Sequence, residues 1–245
     1  MGIASLRAHH EVPLNLKAGL TILVLLLSFT APLVAGELED GITAFNRRDY
    51  AAALRLLHPL ADRGNATAQT DLGFLYNNGW GVRQNHSEAM RWFRKAAEQG
   101  VAEAQGQLGI MYDDGLGVPQ DPAKASRWYR IAAEQGDARW QTHLGAMYHV
   151  GFGVPQDYAE ATRWYRRAAY QGDETGQFML GLMYEYGQGV AQSYVQAAMW
   201  FNLAAAHPAR GISDTAARER DNIAGKMTQE QISEAQGLAR KWKPK

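Results

Sequence analysis

The adjacent carboxylates Asp113 and Asp114 have the type and spacing that could do acid–base chemistry. Paired acids can act as general acid and general base when their surroundings separate their pKa values. A similar stretch recurs along the chain, and three other pairs occupy the same two positions in it: Asn77–Asn78, His149–Val150 and Glu185–Tyr186. A helix end near solvent explains such a variable pair better than a catalytic site does.

Metal ligands and nucleophiles are equally scarce. The 245-residue chain has no cysteine, which excludes disulfides, thiolate metal sites and a cysteine nucleophile. The histidines form no HxxxH pair, and His143 and His149, six residues apart, fall on different faces of a helix. Beyond the N-terminal leader, no serine lies in a nucleophile elbow. We therefore predict no catalytic residue, no metal and no cofactor.

Glycine pairs followed by valine occur four times and could be mistaken for a phosphate-binding loop. The pairs are Gly79/Gly81, Gly115/Gly117, Gly151/Gly153 and Gly187/Gly189. A dinucleotide-binding fingerprint needs a third glycine and a preceding strand, whereas a helical pattern precedes these pairs. They are better explained as turns, in which the first glycine ends a helix in the left-handed conformation and the second lets the chain reverse.

The strongest pattern is a strict repeat of 36 residues. The stretch LGIMYDDGLGVPQD from Leu108 recurs as LGAMYHVGFGVPQD from Leu144, with looser copies from Leu72 and Leu180. Four residue types keep this register: Leu72, Gly73, Tyr76 and Trp92; Leu108, Gly109, Tyr112 and Trp128; Leu144, Gly145, Tyr148 and Trp164; Leu180, Gly181, Tyr184 and Trp200. A fixed period in this range is the signature of a stacked-repeat fold.

Each unit is predicted to contain two helices. From 66 to 78, Ala68, Leu72 and Leu75 share one face of a first helix, which we name helix A. Helix B follows the glycine turn and begins at a capping residue, such as Asp121 before Pro122. One pair alone would expose its apolar face, so stability must come from stacking. The prediction is an all-α protein, an α/α solenoid of 36-residue helix-turn-helix repeats.

Both ends of the chain depart from the repeat. Residues 37–63 resemble a degenerate unit without the double glycine and are predicted to form an N-terminal helical cap. Four units occupy 64–207. In the last one Met199 and Asn202 replace the arginines of earlier B helices, which predicts that another element covers this helix. Two helices within 208–245 are expected to supply a C-terminal cap.

The N-terminus has the organisation of a secretory signal peptide. Arg7 and Lys17 precede an uncharged run over 18–36 that ends in small residues. We expect residues 1–36 to be a signal peptide cleaved after Ala35 or Gly36, which places the protein in the periplasm or outside the cell. An uncleaved inner-membrane anchor is the alternative, because the run just reaches the length of a membrane span.

The pattern AEAQGQLGIMYDDGLGVPQDPAKASRWYRIAAEQG, recurring over about 64–207, resembles the Sel-one-like repeat (SLR) family, a relative of the tetratricopeptide repeat (TPR). The resemblance implies a TPR-like right-handed superhelix that binds other proteins, commonly in envelope or signalling assemblies. Three residues depart from the pattern: Trp140 at a small-residue position, Tyr170 for a glutamate, and Pro208 for a terminal glycine.

One stripe along the A helices varies while the frame stays fixed, which is typical of a face shaped by a partner. It runs from Thr67, Asp71, Phe74 and Asn78 in the first full unit to Thr175, Met179, Leu182 and Tyr186 in the fourth, and becomes more apolar along the way. The alternative is that Phe74, Ile110 and Leu182 belong to the core. The predicted partner-binding residues are Asp71, Phe74, Gln107, Arg139, Trp140, His143, Met179 and Tyr186.

These patterns favour a non-catalytic adaptor of the cell envelope that binds a peptide or helix in its concave groove. The formal charge balances, with 25 basic and 25 acidic residues, which disfavours nucleic acid as the partner. An envelope hydrolase or cell-wall-modifying enzyme is an alternative that would need a catalytic cluster. A membrane-tethered scaffold is a second alternative and depends on whether residues 1–36 are removed.

Overall fold

The computed structural model describes residues 36–207 and 211–244, and within these ranges it contains twelve helices and no strand. The helices are α1 (36–46), α2 (Tyr50–Asp62), α3 (Ala66–Asn78), α4 (His86–Glu98), α5 (Ala102–Asp114), α6 (Pro122–Glu134), α7 (Ala138–Val150), α8 (Tyr158–Tyr170), α9 (Glu174–Tyr186), α10 (Tyr194–Ala205), α11 (Ile212–Ala224) and α12 (Gln229–Lys241). The predicted all-α solenoid is confirmed. The predicted signal peptide lies outside the described residues except for Gly36.

The repeats form four antiparallel pairs, α3/α4, α5/α6, α7/α8 and α9/α10, in which the first member is helix A and the second helix B. From α3 to α10, every helix packs against the helices before and after it. Successive A helices approach one another at α3/α5 and α7/α9, whereas consecutive B helices of these pairs do not approach to the same extent. The A helices therefore line the inner, concave side, and the B helices form the outer side.

Capping residues start the helices as the sequence predicts. Asp121 Oδ1 accepts a hydrogen bond from the Lys124 amide at 2.9 Å, and Pro122 occupies the first turn. A reciprocal capping box forms at Thr228 and Gln231, at the start of α12. At Asn85 and Asp157 the cap accepts from the backbone, while the glutamate three residues later forms an ion pair with an arginine of its own helix.

A glycine in each A helix lets the two helices of a unit approach closely. A Cβ at Gly145 would lie 2.8 Å from the ring of Tyr165, and Gly73, Gly109 and Gly181 face aromatic rings of α4, α6 and α10 in the same way. The leucine before each of these glycines is fully buried. The repeat signature therefore encodes the contact between helices A and B within one unit.

The second glycine of each turn fixes the contact between units. Gly117 has φ +74°, and a Cβ there would lie 2.7 Å from the carbonyl carbon of His86, the first residue of the preceding helix B. Gly81, Gly153 and Gly189 press in the same way against the first residues of α2, α6 and α8. This glycine therefore serves both the left-handed conformation and the close approach of the next unit.

A row of buried glutamines connects three consecutive helices at every step. Gln105 Nε2 donates to the Ala97 carbonyl of the preceding helix B at 3.1 Å, and Gln105 Oε1 accepts from Gln135 Nε2 at 2.6 Å, at the end of its own helix B. Gln69 and Gln141 do the same with Gln99 and Gln171. In the last unit Gln177 keeps its bond to the Ala169 carbonyl, and its Oε1 lies 3.2 Å from Nε2 of His207.

The two ends of the stack are covered. Leu38, Ala44 and Phe45 of α1 pack against the cluster formed by α2 and α3. At the other end, α11 and α12 both pack on α10, as the loss of the arginines at 199 and 202 predicts. The ion pair between Lys226 Nζ and the buried carboxylate of Glu185, 3.5 Å apart, also joins this end to the last unit. Within the described ranges, no helix is both long and apolar enough to span a bilayer.

We expect Gly117→Ala to destabilise the fold much more than Gly100→Ala. Both glycines have positive φ, at +74° and +90°, but a Cβ at Gly100 would meet no atom within 4 Å. The conformational cost, about 1–2 kcal/mol, is therefore common to both variants, and the clash with His86 is specific to Gly117. Urea unfolding should show an additional loss of roughly 2 kcal/mol in the Gly117 variant. Equal losses would show that the loop can move away from the preceding helix.

Candidate functional site

The variable stripe forms a grid on the concave side. It contains four positions of each A helix: Thr67, Asp71, Phe74 and Asn78 on α3; Glu103, Gln107, Ile110 and Asp114 on α5; Arg139, His143, Ala146 and Val150 on α7; Thr175, Met179, Leu182 and Tyr186 on α9. We call these sixteen residues the concave stripe. All of them are half-buried or exposed, although Phe74, Ile110, Met179 and Leu182 also touch the core with part of their side chains.

Asp71 is the most unusual group of the stripe. It is half-buried, and burial raises the pKa of its carboxyl from 3.8 to about 6. No described residue offers it a hydrogen bond or an ion pair. Its neighbour one turn later, Phe74, packs edge-on against Phe93 with ring centroids 5.2 Å apart. An unpaired, half-buried carboxylate next to an aromatic ring costs stability, and function is one reason for retaining it.

Arg139 connects two A helices through charge. Its guanidinium pairs with Glu103 of α5 and with Asp137, the N-cap of its own helix, at 2.8 Å. Gln107 Nε2 donates to the other oxygen of Glu103 at 3.0 Å. The positive charge of Arg139 is therefore already satisfied by acids of this chain. It is less available to a partner than the sequence suggests.

His143 lies flat on the core at the middle of the stripe. Its ring stacks on Tyr129 with centroids 5.2 Å apart and planes 11° apart, while the rest of the residue is exposed. Burial against the protein lowers the pKa of His143, and the charge of Arg139 acts in the same direction, whereas the charges of Asp113 and Asp173 raise it. Beside it, Thr142 Oγ1 donates to Asp173 Oδ1 at 2.9 Å, which closes the groove floor between α7 and α9.

Trp140 does not belong to the stripe, which corrects its inclusion among the partner-binding residues. Only 2% of its surface is exposed, and its ring stacks against Tyr129 at a centroid distance of 5.9 Å. The indole covers Gly106 of the preceding A helix so closely that a Cβ there would overlap it. Trp140 departs from the repeat pattern because Gly106 makes room for it. The two residues form one inter-repeat contact.

The far end of the stripe is apolar and open. Tyr186 is 62% exposed and Val150 is 68% exposed, and both are the last residues of their A helices. Phe152, 41% exposed, follows Val150 in the adjoining turn. Met179 lies half-buried beside the cluster of α8, α9 and α10. Large apolar groups at this level of exposure are typical of residues that anchor a partner.

Charge is segregated between the two sides of the solenoid. Helices α3, α5, α7 and α9 carry six acidic side chains and one arginine, whereas α4, α6 and α8 carry nine basic side chains and four acidic ones. Several outer arginines are bound in place, as Arg94 is to the Tyr112 hydroxyl at 3.2 Å. The balanced total charge therefore conceals an acidic inner side and a basic outer side.

Metal and acid–base chemistry gain no support from the described ranges. They contain no group of three or more histidine, aspartate or glutamate side chains placed to hold an ion. Asp113 and Asp114 stand at the end of α5, and the pKa of Asp113 is raised by burial and by the charge of Asp114. The charge of nearby His143 acts in the opposite direction and lowers the pKa of Asp113.

Comparisons with known proteins identify the repeat. The family model described as "Sel1 repeat" matches residues 38–65, 66–101, 102–137, 141–173 and 175–207. The first match falls where the sequence analysis places the N-terminal cap, and the division into caps and four units stays a prediction. No curated protein sequence matches the chain.

Solved structures with the same architecture include c5321, a protective antigen present in uropathogenic Escherichia coli strains, with 34% identity and a TM-score of 0.75. The match covers 84% of this chain but only 45% of c5321. A Sel1 repeat protein from Oxalobacter formigenes is 31% identical, with a TM-score of 0.71 and coverage of 83% of this chain and 84% of its own. The immunity protein PA5088 from Pseudomonas aeruginosa, 19% identical with a TM-score of 0.50 over 83% of this chain and 81% of its own, shares the fold alone.

We expect Trp140 and Gly106 to be energetically coupled. Trp140→Ala should cost about 3–5 kcal/mol because it leaves a cavity, and Gly106→Thr should also destabilise because its side chain would overlap the indole. The double variant has threonine at position 106 and alanine at position 140. The preceding step of the stack has the same two residue types at the equivalent positions, Thr70 and Ala104. A double-mutant cycle measured by urea unfolding should therefore show recovery of at least about 1 kcal/mol. Additive losses would contradict a direct contact.

We expect Asp71→Asn to stabilise the fold above pH 6 and to leave it unchanged below pH 4. Between the ordinary pKa of 3.8 and the folded value of about 6, the folded state binds more protons than the unfolded state. The stability of the wild type therefore falls as pH rises through this window, and the variant avoids that loss. Unfolding at pH 3.5 and 7.5 should give a gain of roughly 1–3 kcal/mol only at the higher pH. Exposed Asp114→Asn is the control, and a gain at both pH values would contradict the burial argument.

Proposed function

The chain belongs to the Sel1 repeat family, and from this premise we propose that it is a non-catalytic scaffold of the bacterial cell envelope that holds a partner peptide or helix on the concave stripe. Sel1 repeat proteins are generally protein-interaction scaffolds. The observation that carries the proposal is the contrast between positions that recur and positions that vary. The leucines of the frame are fully buried, whereas none of the sixteen stripe residues is.

The stripe suits a peptide or a helix as its ligand. It lies on the side where A helices converge, and polar and apolar side chains line it without closing over it. Such a surface can contact many residues of an elongated segment, and a few aromatic or aliphatic anchors then supply most of the affinity. Tyr186 and Met179 are the proposed anchors, and Asp71, Phe74, Gln107 and His143 complete the contact. Arg139 also lies on this surface, with its charge already paired to Glu103.

The proposed location rests on residues 1–36. Their basic start, apolar run and small residues support export through a signal peptide. The length of the uncharged run also supports a membrane-tethered form of the same scaffold. Sequencing the N-terminus of the protein isolated from its own cells distinguishes the two forms. A start near Gly36 or Glu37 supports release, and retention of the first 35 residues supports tethering.

We expect concave positions, and not outer positions, to crosslink the partner. A benzophenone side chain is introduced in turn at Gln107, His143 and Tyr186, and as matched controls at Arg127 and Ile131, which are exposed on α6. After irradiation of living cells, mass spectrometry should identify the same protein from the concave sites alone. Tyr186→Ala should weaken this capture without loss of folding, because the side chain is mostly exposed.

Equal capture from the α6 positions, or capture from them alone, would move the binding face to the outer side. An unchanged yield in the Tyr186 variant would remove that residue from the contact.

A further inference from the structure

We infer that the segment held on the concave stripe is bipartite, with basic side chains over α3 and α5 and apolar side chains over α7 and α9. This inference rests on the proposed function and adds the chemistry of the partner to it. The stripe is a grid in which each row crosses four helices at the same register. Reading along a row therefore shows what a partner would meet as it passes from one unit to the next.

The row Phe74, Ile110, Ala146 and Leu182 is apolar throughout, and the row Thr67, Glu103, Arg139 and Thr175 has no large apolar residue. The other two rows change character in the same direction. One row reads Asp71, Gln107, His143 and Met179, and the row of last residues reads Asn78, Asp114, Val150 and Tyr186. In both rows the first half is polar or acidic, and the final position is a large apolar or aromatic residue. A partner with uniform character along its length would satisfy one half of the stripe and leave the other half unmatched.

The first half calls for a cation. Helices α3 and α5 carry Asp71, Glu103, Asp113 and Asp114 and no lysine or arginine. Glu103 is neutralised by Arg139, but Asp71 and Asp114 have no ion-pair partner among the described residues. A lysine or arginine of a partner placed beside Asp71 would supply the missing charge in a half-buried position, where the interaction is stronger than on an open surface.

The second half calls for apolar groups. Val150 and Tyr186 expose most of their surface, and Met179 and Leu182 are half-buried beside them. The only basic groups of the stripe on α7 and α9 are Arg139, already bound to two acids, and His143, stacked on Tyr129. Covering this half with leucine, valine or phenylalanine side chains would remove apolar surface from water without stranding a charge.

The spacing of the helices sets the length of the segment. Packed helices lie about 10 Å apart, and an extended chain advances about 3.3 Å per residue. One step from an A helix to the next therefore corresponds to roughly three residues of the bound segment. The basic and apolar parts of the segment bind two steps apart, so roughly six residues separate them.

The test uses the full chain, purified as its cells produce it, and fluorescein-labelled synthetic peptides. The main probe has two lysines, a neutral spacer of six residues, then leucine and phenylalanine. Three controls replace the lysines with glutamates, replace the apolar pair with serines, or shorten the spacer to two residues. Fluorescence anisotropy should show binding of the main probe and roughly 5- to 10-fold weaker binding of each control. Equal binding of the lysine and glutamate peptides would overturn the inference.

Variants then locate each half of the probe. Asp71→Asn combined with Asp114→Asn should weaken the main probe roughly 5- to 10-fold and leave the glutamate control unchanged. Tyr186→Ala should weaken the main probe and leave the serine control unchanged. The matched control, Glu98→Gln combined with Glu134→Gln, removes two exposed acids from the outer helices and should have no effect. An equal loss in this control would show unspecific charge attraction and would overturn the inference.

The failure of this inference can be told apart from failure of the proposed function. If Gln107 and Tyr186 crosslink a partner whose captured segment lacks basic residues opposite Gln107, the scaffold function stands and the bipartite chemistry falls. If no concave position captures anything, both fall. If the chain forms a dimer through the stripe that the main probe cannot dissociate, a second copy is the occupant, and the inference falls.

Discussion

The row of buried glutamines is the interaction on which the rest of the solenoid depends. Each amide is held between the end of the preceding helix B and the end of its own, as Gln105 is between the Ala97 carbonyl and Gln135. The Ala97 carbonyl also accepts from the Gly100 amide, so the group that needs partners is the buried side-chain amide of the glutamine, and leaving it unpaired would cost about 1–3 kcal/mol. The glutamine meets this requirement only if three helices keep one relative position. It therefore fixes the distance and rotation between units more strictly than apolar contacts, which tolerate sliding.

A frame fixed in this way frees other positions to vary. Leu72 and its equivalents, the helix A glycines and the turn glycines all face inward or against the neighbouring unit. Apart from Phe74, Ile110, Met179 and Leu182, which touch the core with part of their side chains, the apolar packing does not depend on the residues of the concave stripe, so a destabilising group such as Asp71 can be tolerated there. Trp140 shows the opposite case. Trp140 occupies a repeat position where the other units have a small residue, and the fold accommodates it because Gly106 lacks a side chain. Variation inside the frame needs a compensating partner, whereas variation on the stripe does not.

The sequence was sufficient for the fold because periodicity is a direct record of stacking. The register of Leu108 and Gly109 predicted the helices and the turns, and the replacement of two arginines by Met199 and Asn202 predicted the cover over α10. The sequence was not sufficient to predict the site. The sequence indicated that Trp140 is an exposed anchor. Its burial depends on Gly106, 34 positions earlier, and the sequence alone does not show that these two residues are in contact. Arg139 looked available because its pairing with Glu103 needs the distance between two helices. The glutamine row carried a signal, a period of 36 at Gln69 and Gln105, but the bonds it makes are visible only in three dimensions.

Net charge shows why repeat proteins must be analysed by position and not by composition. The chain balances its acids and bases, and a uniform mixture would give no preference for a charged partner. The repeat places its arginines on helix B, where they bind tyrosines of the next unit or cover tryptophans, as Arg167 does over Trp164. These structural tasks hold positive charge on the outer side in the first three units, on α4, α6 and α8. On the stripe, Glu103 is paired with Arg139, but Asp71 and Asp114 have no ion-pair partner among the described residues. A preference for a cation at Asp71 follows from where the frame needs its arginines.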